Sequence, residues 1–170
     1  MVVEGLSTLA EADRMRLVDF QRKIARLQSA VGGALETANE LQRRMKRVRE
    51  ALLLTPAAPA QLTADAISIE KRIGALLDAL AGDRVLRSLQ ENLPPSLSER
   101  VSRIVSDQRM AVAPPTQTHL EQYQIVARDF EPVLSDLRSL VEGDLDRLQK
   151  AMEAAGAPWT PGRIPQWKEN

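Results

Sequence analysis

Apolar residues recur at Phe20, Ile24, Leu27, Val31, Ala34, Ala38, Leu41, Met45, Val48 and Leu52, in alternating steps of four and three. That period keeps one stripe on one face of a helix and marks long helices that pack side by side. The stripe passes through Gly32 and Gly33 without losing register, so it predicts one continuous helix over about residues 8–54. A break at the glycine pair is the rival reading. At 1.5 Å per residue such a helix is about 70 Å long. Thr8 with Glu11 fits a capping box at its start, and Thr55-Pro56 ends it, because the residue before proline avoids helical geometry. Asp19/Lys23 and Glu40/Arg44 are acid-before-base pairs one turn apart on the polar face.

After a turn containing Pro56 and Pro59, the same spacing returns at Leu62, Ala66, Ile69, Ile73, Leu76 and Leu80. This predicts a shorter helix over about 61–81, antiparallel to the end of the first, with Gly82 at its C-terminal cap. Residues 83–95 are less regular: Val85, Leu86 and Leu89 suit one or two helical turns, and Asn92-Leu93-Pro94-Pro95 must then be extended. Ser96 and Glu99 form a second capping box, opening a helix over about 97–110 with Leu97, Val101, Ile104 and Val105 inward. Pro114-Pro115 breaks the chain again. Thr118 and Glu121 then suit the start of a last long helix, about 120–155, with Tyr123, Ala127, Phe130, Leu134, Leu137, Val141, Leu145, Leu148 and Met152 inward. Pro132 predicts a kink within it, and Gly156 ends it. The fold class is therefore all-α: an elongated antiparallel bundle over 1–156, mostly up-down-up, with two long helices, two shorter ones and a Pro/Trp-rich tail over 157–170.

Composition agrees. Aromatic residues make up 3% of the 170-residue chain and hydrophobic residues 44%, which suits helix-on-helix layers of Leu, Ala, Val and Ile better than strands. Lys and Arg number 23 against 23 Asp and Glu, so overall charge gives no reason to expect nucleic acid or an anionic membrane. The absence of cysteine excludes disulfides and thiol chemistry. Met1 to Glu11 lacks the pattern of a signal peptide, and no segment has the apolar length of a membrane span.

Candidate chemistry is sparse. His119 is the sole histidine and has no Glu-x-x-His context, so neither a di-iron nor a zinc site is expected. Glu142, Asp144 and Asp146 lack the remaining ligands of a calcium loop and lie in a helical pattern. Arg43, Arg44, Lys46, Arg47 and Arg49 flank inward positions and fit the wet sides of a packed helix, or a surface for an acidic partner. No catalytic, cofactor or metal residue is expected. The tail is different. Trp159 and Trp167 stand among prolines and glycines, either folding back to plug the bundle end or anchoring a neighbouring domain or partner.

The tail EAAGAPWTPGRIPQW (153–167) resembles the C-terminus of large bacterial sortilin-like proteins with BNR-repeat β-propellers, often labelled glycosyl hydrolases. GALETANELQRRMKRVREAL (33–52), GDRVLRSLQENLPPSLSERVSRIV (82–105) and PPTQTHLEQYQIVARDFEPVLSDL (114–137) are similar to the same family. The resemblance implies a non-catalytic C-terminal helical module of a larger exported protein, periplasmic or secreted, with any hydrolase activity in a propeller outside this chain. Leu86, Leu89, Leu93, Trp159, Arg163 and Trp167 are then the candidate docking residues, for the propeller or for another protein. The alternative is a free-standing homodimeric coiled-coil adaptor that pairs through the Phe20 to Leu52 seam.

Overall fold

A computed structural model of the chain describes residues 10–109, 111 and 113–164. It is an all-α bundle. α1 (Glu11–Leu53) is unbroken, about 65 Å long at 1.5 Å per residue. Every position of its expected seam, from Phe20 to Leu52, is buried. The Thr8 capping box lies outside the described residues. Gly32 and Gly33 are helical and exposed, and a Cβ at either would meet nothing within 4 Å. Alanine at both positions therefore removes only the backbone entropy cost of glycine in a helix, about 0.5–1 kcal/mol each. The double variant is expected to unfold at a higher urea concentration than the unmodified chain. A lower midpoint would mean that the helix needs glycine there.

α2 (Ala60–Ala81) returns antiparallel and stops at Gly82, whose φ of +83° favours glycine. α3 (Arg84–Ser88) is a single short turn capped by Asp83, whose Oδ1 accepts from the backbone N–H of Val85 and Leu86. It closes in a Schellman arrangement, with Glu91 N–H donating to Leu86 O and Gln90 in the left-handed region at φ +59°. α4 (Leu97–Arg109) then continues the direction of α2 along the other half of α1. α2 and α4 together form one descending strand of the bundle, interrupted by the connector over 82–96. Gln21 Nε2 donating to Gln108 O at 3.2 Å and Arg49 paired with Glu70 at 3.1 Å fix the two registers.

The third, ascending strand is α5 (Gln117–Ser139), a π-helical turn (Leu140–Asp144) and α6 (Leu145–Ala154) in continuous succession. Its start differs from the expectation. Thr116, not Thr118, is the cap. It follows Pro114-Pro115 in extended geometry, and its hydroxyl accepts from His119 N–H while His119 Nδ1 accepts from Thr116 N–H. Pro132 lies inside the helix, where its missing N–H leaves Arg128 O without an α-helical donor, and the chain continues in helical form to the π turn.

That turn also moves the seam. Leu145 N–H donates to Leu140 O, a five-residue step that absorbs one extra residue. Leu140, 1% exposed, is consequently inward, and Val141, expected inward, is 37% exposed. Val126 is buried as well, while Tyr123, Ala127 and Leu134 are only half-buried. Arg72 of α2 spans the turn, bonding Asp136 before it and Asp144 within it; Arg147 also pairs with Asp144. At the N-terminal end of the bundle, Phe20 and Tyr123 meet edge to face with centroids 6.0 Å apart. Among the described residues no helix is long and apolar enough to cross a membrane.

Two carboxylates lock α4 in place. Glu99 accepts from the Ser96 backbone N–H at 2.8 Å and pairs with Arg87. The Ser96 backbone bond first, then its hydroxyl and Arg87, hold the Glu99 carboxyl below its ordinary pKa. Asp129 is likewise lowered, by hydrogen bonds from Arg100 and then Arg128. Because both are depressed in the folded chain, their contribution is whole above the ordinary values of 4.5 and 3.8 and is lost as pH falls through the depressed ones. Urea midpoints measured across pH should hold steady above about pH 5 and decline below about pH 4. Glu99→Gln should lower the neutral plateau and shallow that decline.

Candidate interaction surface

Two regions leave the bundle, and each is held by specific contacts. The first is the connector. Arg87 Nη2 reaches Glu99 at 2.7 Å and anchors α3 against the start of α4. The opposite side of α3 carries Val85 (68% exposed) and Leu89 (66% exposed), one turn apart, with Leu86 also exposed and Leu93 half-buried. The pattern of the sequence identified Leu86, Leu89 and Leu93. Val85 is more open than any of these. It was legible only as a helix-forming position, since which side of so short a helix faces inward depends on the Arg87–Glu99 tether.

The second region is the tail. Gly156 ends α6 at φ +72°, with Ala157 N–H donating to Met152 O at 2.9 Å, and the chain then turns back along the bundle. Ala157 and Thr160 are the buried residues of this segment. The plug expected from tryptophan is not made by Trp159, which stays 56% exposed with Nε1 donating to Arg163 O at 2.8 Å. Trp167 lies outside the described residues. Arg163 does not point outward. Its side chain folds into the tail turn, donating to Pro158 O at 3.3 Å and approaching Glu153 at 3.7 Å.

Arg44 is the residue the sequence did not reveal. It belongs to the basic run, whose other members Arg43, Lys46, Arg47 and Arg49 are exposed, yet Arg44 is half-buried. Its Nη2 donates to Gln149 Oε1 at 2.7 Å and to Gly162 O at 3.0 Å, joining α1, α6 and the tail. Burial lowers its pKa, with Glu40 acting in the opposite sense. Gly162, at φ +92°, lets the tail backbone pass; a Cβ there would lie 2.6 Å from Arg44 Cζ. The latch is incompletely satisfied: Arg44 Nε, Gln149 Nε2 and Thr160 Oγ1 are buried without a partner among the described residues.

Next to the latch runs a groove of about 950 Å³ between α1 and the third strand, extending from Gly33 to Arg47 and bounded by Val141, Pro161 and Gly162. A smaller cleft of about 320 Å³ beside the π turn is lined by Arg72, Asp144 and Arg147, whose charges already satisfy one another. His119, half-buried, serves the α5 cap and lies 3.0 Å from Gln108 Nε2. Among the described residues no three His, Asp or Glu side chains converge as a metal-binding group. No family model, curated protein or solved structure matches this chain.

Proposed function

We propose that this chain is a non-catalytic helical scaffold that works as an interaction module, offering its α3 connector and its tail to a neighbouring domain or protein. One observation carries the reading: Val85, Leu86 and Leu89 face solvent from a short helix that is capped by Asp83 and tethered by Arg87 to Glu99. Apolar side chains held outward on a fixed element cost little ordering entropy when a partner covers them. In the form suggested by the stretches over 33–52, 82–105, 114–137 and 153–167, the neighbour is the β-propeller of an exported bacterial sortilin-like protein. Any hydrolase chemistry then belongs to that propeller.

The homodimeric adaptor would need the Phe20 to Leu52 seam as its interface. That seam is covered by α2, α4 and α5 of the same chain, so pairing through it requires the bundle to open.

The test is affinity capture from extracts of the native host, with the unmodified chain and with a Val85→Asp/Leu89→Asp variant of matched helicity. The reading predicts a protein retained by the first and lost by the second. Identical sets of captured proteins would contradict it.

A further inference from the structure

The groove along α1 has features that neither the connector nor the latch accounts for. It follows α1 from Gly33 to Arg47, about 20 Å at 1.5 Å per residue, which is too long for a single small ion and suits a segment of several helical turns. Leu41, Val141 and Pro161 give it apolar lining, and Val141 is turned outward by the π turn. Arg43, Arg44, Lys46 and Arg47 stand along it against two carboxylates, Glu36 and Glu40. Arg43 uses Glu40 and Arg47 uses Glu50, both as exposed pairs along their own helix, and such pairs give up little when exchanged. Among the described residues Arg44 donates to two neutral acceptors, Gln149 Oε1 and Gly162 O. Arg44 Nε and Gln149 Nε2 are themselves buried, so the positive charge open to a ligand in the groove is that of Arg43, Lys46 and Arg47.

We propose that this groove is the docking site for an acidic amphipathic helix of a partner protein, laid along α1 as a fourth helix. Its apolar stripe covers Val141 and Pro161, and its carboxylates face the exposed Arg43, Lys46 and Arg47. Helix-in-groove recognition of this kind gains affinity from the apolar stripe, while charge sets orientation and partner choice. The groove shares Pro161 and Gly162 with the tail but no residue with the connector, so the Val85→Asp/Leu89→Asp variant leaves it intact and the two tests can fail separately.

The experiment is fluorescence anisotropy with a labelled synthetic helix carrying Leu and Glu at helical spacing, beside its Lys-for-Glu counterpart. The Glu peptide binds, the Lys peptide does not, and added salt weakens the complex. The Arg43→Gln/Lys46→Gln/Arg47→Gln variant weakens binding at least about tenfold, whereas Arg22→Gln/Arg26→Gln on the same helix leaves it unchanged. Hydrogen exchange on the unmodified chain, which needs no variant to fold, shows new protection over 33–47 when the Glu peptide is present. Failure of the Glu peptide to bind, equal weakening by both variants, protection elsewhere, or displacement by millimolar inorganic phosphate at constant ionic strength would each overturn the proposal, the last in favour of a small-anion site.

Discussion

Leu140→Ala is expected to cost about 2–5 kcal/mol of unfolding free energy, and Val141→Ala less than about 0.5 kcal/mol. The two residues are adjacent and both apolar, so the contrast isolates the effect of the π turn. With Leu140 essentially buried, truncation removes apolar contacts and leaves a cavity that the surrounding Leu137 and Leu145 fill only in part. Val141 faces the groove beside Pro161, where solvent replaces the two lost methyl groups at little cost. Urea unfolding followed by circular dichroism measures both. If Val141→Ala proves the costlier change, the last strand is a plain α-helix with the seam shifted by one residue, and the π turn is absent.

Ala38→Leu is expected to destabilise by about 1–3 kcal/mol, through overpacking rather than lost contact. Ala38 is fully buried, and together with Ala34 it makes the narrowest stretch of the α1 seam. The registers set by Arg49–Glu70 and Gln21–Gln108 place this stretch opposite the junction where α2 ends near Leu80 and α4 begins at Leu97. There the larger side chains come from the descending strand, and α1 supplies the small ones. A leucine must displace Leu80 or push the helices apart. Thermal unfolding of Ala38→Leu beside an exposed control, Thr37→Leu, separates packing from a general effect on α1. Equal melting temperatures would mean that the junction is loosely packed.

The α1 seam was legible because its spacing is regular over many turns and its burial follows directly from helical geometry. The same spacing located α2 and most of α4. It could not find the π turn, since Leu140 and Val141 are both apolar and only packing in the folded bundle decides which of them turns inward. The pair Thr118 and Glu121 was read as the start of α5, whereas Thr116 is the cap. Both threonines precede a possible partner, and what favours Thr116 is the extended backbone after Pro115 together with the reach of the His119 ring. Arg44 was invisible for a different reason. Local pattern shows that it flanks Leu41 and Met45, but its partners Gln149 and Gly162 are more than a hundred residues away in sequence. Trp159 shows the converse: its place among prolines and glycines left a plug and an anchor for a neighbour both open, and in the fold Ala157 and Thr160 are buried while the indole stays exposed.

Light scattering coupled to size exclusion shows whether the long α1 seam is satisfied within one chain. A monomer of 18.8 kDa is expected, with far-ultraviolet circular dichroism independent of concentration down to the lowest measurable value. A stable dimer that loses helicity on dilution would contradict it, because the seam would then be completed by a second chain.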